Sequence, residues 1–281
     1  MKPHQISIIM DYVNYCVKTK DVKLTRFHNK YHPYDRKQST IDLINRAFES
    51  QVLFKPRIYC LPELDVKLLK YQNVPLYNLF EQKKNDPRVM YMMALTGAFS
   101  LLIFLRGGKK RLTYMECTTP SIPPYRTFET INLLEYSPGK LPVLETPEWD
   151  PLHWKVYNER RDPSVSSVKI AEKLGVSYRI VLRRYKKILK NCKIWLPFFP
   201  NGYPNYSPYV ITLKTEFENA IVSELRKLDR SSYIYKIDNS LMLTLFFDQH
   251  LQIDNFLKLE KNGMMHEVRV SFPVWHFDQF W

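Results

Sequence analysis

The sequence predicts an α+β protein in which a winged helix-turn-helix is followed by a βαββαβ sheet domain, the pair being repeated twice. Three observations predict it. Residues 163–195 carry two short helical patterns separated by a glycine. Hydrophobic spacing then alternates between helix and strand periods over residues 204–272. Several short segments also recur in order at an offset of about 141 residues, half of the 281-residue chain.

The elements follow in order. Ile9, Val13 and Val17 share one side of a helix over residues 6–17, and residues 24–31 and 39–49 fit two more. The connection His32-Pro33-Tyr34-Asp35 has no glycine turn. Residues 1–58 read as a degenerate winged helix. Residues 59–118 read as a partial sheet domain, with β, α, β, β at 66–71, 76–84, 89–95 and 99–106 and a fourth strand at 110–117. Val89 to Leu105 is uncharged and mostly apolar, at the lower edge of membrane-spanning length, roughly 17–25 residues. Thr96-Gly97 in its middle, and Lys236 and Asp238 in the matching segment Ser231–Phe246, favour a buried hairpin. Residues 119–149 hold Pro120, Pro123, Pro124, Pro138, Pro142 and Pro147 and read as a linker.

Residues 150–203 form the second helix-turn-helix unit. Asp150 to Arg161 is its first helix. Ser166 or Ser167 caps the next, because a serine oxygen accepts from an orphan N–H group at a helix start. Gly175 supplies the turn and Ser177 caps the last helix, whose inward side is Ile180, Val181, Ile188 and Leu189. The other faces carry Arg179, Arg183, Arg184, Lys186, Lys187 and Lys190. Residues 204–281 then read β (209–214), α (218–230), β (233–237), β (241–247), α (253–262) and β (268–272). That order gives a ferredoxin-like antiparallel sheet with two helices on one face. The aromatic tail Trp275–Trp281 is expected to pack on the open face or on a second subunit.

Ile170-Ala171-Glu172-Lys173-Leu174-Gly175-Val176-Ser177, then Val181-Leu182-Arg183-Arg184, Ile188 and Ile194, resemble the DNA-binding domain of the Lrp/AsnC family of feast/famine transcription regulators. Cys192 stands where that family usually ends a helix with glycine, and helix 150–161 is more polar than is typical. The βαββαβ order resembles the effector and oligomerisation domain of the same family. The resemblance implies a sequence-specific regulator of double-stranded DNA, with helix 177–190 in the major groove. Lys169, Ser177, Tyr178, Arg179, Arg183, Arg184, Lys186, Lys187 and Lys190 are the expected DNA contacts, the first turns for bases and the later lysines for phosphates. Arg36, Lys37 and Arg46 form a second candidate contact. A homodimer or an intrachain pseudo-dimer is expected, and a small-molecule effector is left open without an identity.

Composition agrees with a polyanion partner. The net charge is +14 with a pI near 9.5, and 45% hydrophobic residues suffice for packed cores. No signal peptide is recognisable, which with the cysteine usage suggests a cytoplasmic, non-membrane setting. Cys16, Cys60, Cys117 and Cys192 are scattered without CxxC pairs and read as buried free thiols, so no metal is expected. His28 and His32 have helical metal-ligand spacing but lack the glutamate of an HExxH motif, and a structural role is expected. Gly107-Gly108-Lys109 reads as a turn; there is no Walker loop and no GxSxG. No cofactor is expected and the protein is read as a non-enzyme. The alternatives are a siroheme-decarboxylase-like enzyme on the same architecture, or a non-specific polyanion or protein-interaction module. The glycine- and arginine-rich strand of the former is not seen, nor is a tetrapyrrole-binding arginine cluster in residues 59–118.

Overall fold

The computed structural model describes residues 1–60, 64–107, 112–248 and 253–278. It is a mixed α+β fold with two helical units over one large antiparallel sheet. The first unit is α1 (Pro3–Thr19), α2 (Leu24–Tyr31) and α3 (Lys37–Glu49), followed by strand β1 (Arg57–Tyr59). After β2 (Leu64–Leu69), α4 (Leu76–Lys84), β3 (Val89–Gly97), β4 (Leu101–Arg106) and β5 (Leu112–Cys117) comes the second unit, α5 (Pro151–Arg160), α6 (Ser167–Leu174) and α7 (Tyr178–Asn191), followed by β6 (Lys193–Trp195). The chain closes with β7 (Ser207–Lys214), α8 (Glu218–Leu225), β8 (Tyr233–Ile237), β9 (Ser240–Phe247), α9 (Asp254–Lys261) and β10 (His266–Asp278).

Local signals set the helix ends. Ser166 and Ser177 accept from Lys169 N and Ile180 N, capping α6 and α7. Gly175 between them sits at φ +63°, a left-handed conformation that glycine adopts without a Cβ penalty. His32, at φ +45°, takes the same role at the end of α2, so that turn is made without a glycine. The two helical units share one core: Ile9, Val13, Leu43 and Ile44 pack with Val156, Ile170, Val181 and Ile188. Each such buried aliphatic side chain stabilises by roughly 1.5–3 kcal/mol. β1 and β6 join the units as a two-stranded ribbon.

The large sheet has the order β2-β4-β3-β10-β7-β9-β8-β5. Its stretch β10-β7-β9-β8 is the ferredoxin-like arrangement expected of residues 204–281, with α8 and α9 on one face. Alternation assigns the faces. Ile211, Leu213, Leu243 and Leu245 face α8 and α9, whereas Val210, Met242 and Phe246 point the other way. On β3 and β4, Met92, Ala94, Ile103 and Leu105 pack under α4, and Tyr91, Leu102 and Phe104 face opposite. The sheet curls until its edge strands β2 and β5 approach each other, making the second face concave.

Several expectations need correction. β5 does not lie beside β2 as a fourth strand of residues 59–118; it pairs with β8 across the expected boundary. Lys110 and Arg111 of the expected strand, and Gly108 and Lys109 of the expected turn, lie outside the described residues. The tail is no separate patch: β10 runs through Asp278 and pairs with β3 as well as β7, with a bulge between Pro273 and Trp275. Trp275 then meets Tyr77 and Phe80 of α4, and residues 279–281 lie outside the described residues. α8 stops at Leu225 and not at Arg230, and on α9 Phe256 and Leu259 are buried. Residues 119–149 are irregular but not a solvated linker. Phe128, Ile131, Leu133 and Leu141 are buried in the core with α8 and α9. Val89–Leu105 is a hairpin, and no helix among the described residues is long and apolar enough to cross a membrane.

Candidate functional site

The concave face of the sheet and the β1–β6 ribbon above it enclose a cavity of about 1120 Å³. That exceeds the roughly 300–1,000 Å³ of ordinary small-ligand sites. The strand period supplies its floor: Tyr91 and Met93 from β3, Leu102 and Phe104 from β4, Tyr233 and Tyr235 from β8, and Phe246 from β9. The ribbon supplies Tyr59 and Trp195, and the end of α5 supplies Trp154, Tyr157 and Asn158. β10 adds Trp275, His276, Phe277 and Asp278.

Aromatic rings give the walls their shape. Tyr59 and Trp195 stack with centroids 4.2 Å apart and planes 30° apart. Trp195 leans on Tyr233 at 5.6 Å, and Phe104 meets Tyr91 and Tyr235 edge-on at 5.7 and 5.5 Å. These offset and edge geometries suit the ring quadrupoles. Burial pushes the Tyr91 and Tyr235 hydroxyls well above the ordinary tyrosine range, so both stay neutral donors at neutral pH. Burial raises Tyr59 as well, against the lowering effect of Arg161, whose guanidinium lies 5.4 Å over its ring.

The charge is one-sided. Lys55, Arg57, Arg106 and Arg161 line the cavity, and among the described residues Asp278 is the one carboxylate that does. Arg57 also contacts Asp162 at 3.4 Å. A flat, mostly apolar molecule that carries carboxylates matches this arrangement: rings stack on rings, and guanidinium groups take carboxylates in paired hydrogen bonds. The cations come from β1 and the segment before it, from β4 and from the residue after α5, so no single stretch of sequence shows the cluster. Its one sequence signal is the match of Phe54-Lys55-Pro56 to Trp195-Leu196-Pro197 at the offset of about 141 residues. Phe54, Lys55, Trp195 and Pro197 all line the cavity.

The expected DNA contacts form a separate surface. Lys169, Ser177, Tyr178, Arg179, Arg183, Lys186, Lys187 and Lys190 are exposed along α6 and α7. Arg184 is held inside the unit: its Nη1 donates to Asp150 Oδ2 at 2.6 Å and also touches His153. That bond, first among the causes, keeps the Asp150 carboxyl well below the ordinary aspartate range. Arg36, Lys37 and Arg46 are exposed on and beside α3. His28 is buried and its Nδ1 hydrogen-bonds Thr40 Oγ1 at 2.9 Å, with the His32 ring 5.4 Å away. Among the described residues no three His, Cys, Asp or Glu side chains converge as metal ligands.

No protein-family model matches the sequence, and no curated protein matches it. Two crystal structures match the fold. One is the siroheme decarboxylase NirDL in co-complex with an iron-uroporphyrin III analogue, at TM-score 0.53 and 10% identity. The other is the siroheme decarboxylase NirDL, at TM-score 0.52 and 10% identity. In both, the alignment covers 96% of this chain and 92% of the other. The fold implied by the Lrp/AsnC resemblance is therefore supported over nearly the whole length, without singling out a regulator. The expectation of a non-enzyme is overturned by the same finding, because the chains that share this fold throughout are those of an enzyme.

Proposed function

We propose that this chain is an enzyme that binds a carboxylate-bearing tetrapyrrole as substrate in the cavity and removes carboxylate groups from it as carbon dioxide. The observation that carries this is the cavity itself: about 1120 Å³, walled by stacked aromatic rings and lined by Lys55, Arg57, Arg106 and Arg161. Rings of that size offer a macrocycle its apolar contact, and the cations answer its acidic side chains. Decarboxylation breaks a carbon–carbon bond and leaves an electron pair that must take up a proton. The neutral phenols of Tyr91 and Tyr235 and the imidazole of His276 stand in the cavity to donate one. The test is to mix the purified chain with siroheme, follow the Soret band, and then determine the mass of the extracted macrocycle. Binding with stepwise loss of carbon dioxide is expected. An unshifted band at saturating siroheme overturns the reading.

A second reading rests on a different surface. The cationic face of α7, in a chain of net charge +14, supports double-stranded DNA as a partner, with Ser177 to Arg183 nearest the bases. Selection of genomic fragments at near-physiological salt tests it; equal retention of all sequences overturns sequence-specific recognition. For assembly we favour the intrachain pseudo-dimer. The two strand exchanges, β3 with β10 and β5 with β8, let each half of the sheet serve as the partner that a second chain would otherwise provide. Light scattering should give the 33.7 kDa chain mass. Twice that mass at micromolar protein overturns it.

A further inference from the structure

Cys60 and Cys192 are remote in sequence and adjacent in space. The β1–β6 ladder pairs Arg57 with Trp195, Ile58 with Ile194 and Tyr59 with Lys193. One step further in the same register sets Cys60 opposite Cys192. Opposed residues of an antiparallel pair have Cα atoms roughly 4.5–5.5 Å apart. A disulfide spans roughly 4.4–6.8 Å between Cα atoms, so the ribbon already holds the two residues at bridging distance. The two thiols are close enough to shift each other's acidity. Both are free and buried, at 3% and 2% exposure. Cys60 nonetheless lines the cavity, which gives a small molecule a route to it.

From this geometry we infer that Cys60 and Cys192 form a redox modification site, at which hydrogen peroxide entering the cavity converts the pair to a cross-strand disulfide. The Cys60 thiolate attacks a peroxide oxygen. The O–O bond breaks, hydroxide leaves and Cys60 becomes a sulfenic acid. The Cys192 sulfur then attacks the Cys60 sulfur, the S–O bond breaks, and water leaves with the Cys192 proton. The two thiols together lose two electrons and the peroxide is reduced to two waters. The roles of the two cysteines are unequal. The neighbouring Cys192, first among the causes, holds the Cys60 thiol below its ordinary range, and Tyr157 and Arg161 act in the same direction against burial. Cys192 is pushed upward by the neighbouring Cys60 and by burial, so it keeps its proton until the second step. The bridge would fasten the ribbon that carries Tyr59 and Trp195, and so stiffen one wall of the cavity.

The full chain should be incubated with graded hydrogen peroxide, denatured, alkylated and mapped by mass spectrometry without reduction. Two of the four cysteines should leave the alkylatable pool together, in one peptide pair linking Cys60 to Cys192, and dithiothreitol should restore both. Cys60→Ser should abolish the link. Cys192→Ser should abolish it too, but leave a Cys60 sulfenic acid that dimedone captures. If a variant fails to fold, the map of the unmodified sequence decides alone. Links through Cys16 or Cys117, links between chains, or four alkylatable thiols after peroxide treatment overturn the inference.

Discussion

Replacing Glu224 by glutamine should unfasten residues 119–149 from the sheet domain. Glu224 sits on α8 with no exposed surface. Its Oε1 accepts from the Tyr136 hydroxyl at 2.6 Å and from Lys227 Nζ at 2.7 Å. Its Oε2 accepts from Arg126 Nε and from the Asn132 backbone N–H, both at 3.1 Å. Three of the four donors, from Arg126, Asn132 and Tyr136, belong to the irregular segment. Glutamine keeps the shape, removes the charge, and turns one acceptor into an NH₂ group that faces donors. A hydrogen bond to a charged group contributes roughly 1.5–3 kcal/mol, and breaking a buried pair costs roughly 3–5 kcal/mol. Arg126 and Lys227 remain solvent-accessible and can rehydrate, so the lower part of that span applies, about 2–4 kcal/mol. At roughly 2–4 °C per kcal/mol, the thermal midpoint at pH 7 should fall by about 4–16 °C. Scanning calorimetry from pH 3 to 7 gives a second reading. Burial pushes the Glu224 carboxyl up, but the bonds from Lys227, Tyr136 and Asn132 outweigh it and hold the folded value below the ordinary glutamate value. The stability it contributes is therefore present above the unfolded pKa and lost as pH falls through the folded one. The gap between parent and Glu224→Gln should close in acid. A midpoint within about 1 °C of the parent at pH 7 would refute the reasoning.

Arg161→Ala should weaken siroheme binding by about ten- to a hundredfold, the equivalent of one charged hydrogen bond, as read by Soret titration; unchanged affinity would remove Arg161 from the site. Gly97→Ala should destabilise more than Gly175→Ala in urea unfolding. Both glycines have positive φ, but a Cβ at Gly97 would stand 2.7 Å from Val270 O, whereas Gly175 has open space and suffers only the roughly 1–2 kcal/mol left-handed penalty. If DNA is bound, Arg179→Ala should relax preference at one base position by roughly 1–3 kcal/mol, whereas Lys186→Ala should weaken all sequences alike and reduce the salt slope by about one. Competition binding over a salt series separates the two, and a loss confined to one sequence in Lys186→Ala contradicts its phosphate role.

Legibility followed the range of the forces involved. α6 and α7 could be read because Ser166, Gly175 and Ser177 act on backbone within a few residues of themselves. β9 could be read because Leu241, Leu243 and Leu245 alternate with Met242, Thr244 and Phe246. The burial of Phe128, Leu133 and Leu141 could not, since they follow neither helical nor strand spacing and are fixed by Glu224 and Glu218 from afar. The cavity was hidden for a related reason. Arg57, Arg106 and Arg161 converge only when the ribbon lies over a curled sheet, and no local period encodes that approach. The charge on α7 drew the functional reading toward DNA because it is contiguous, while the cavity's charge is scattered.

β10 lies in the middle of the large sheet, between β3 and β7, yet it is the last of the described strands to be synthesised. Without it, the strand order leaves two separate pieces of sheet, β2-β4-β3 and β7-β9-β8-β5, with β3 and β7 as open edges. Open edges invite pairing with other chains. The contacts that close the gap are among the most distant in the sequence, joining Thr96 to Phe272 and Tyr91 to Asp278, and such pairings form slowly. Ribosome-bound intermediates of this protein should therefore be the species most in need of a holdase. A chain released before residue 266 would leave both edges permanently unsatisfied.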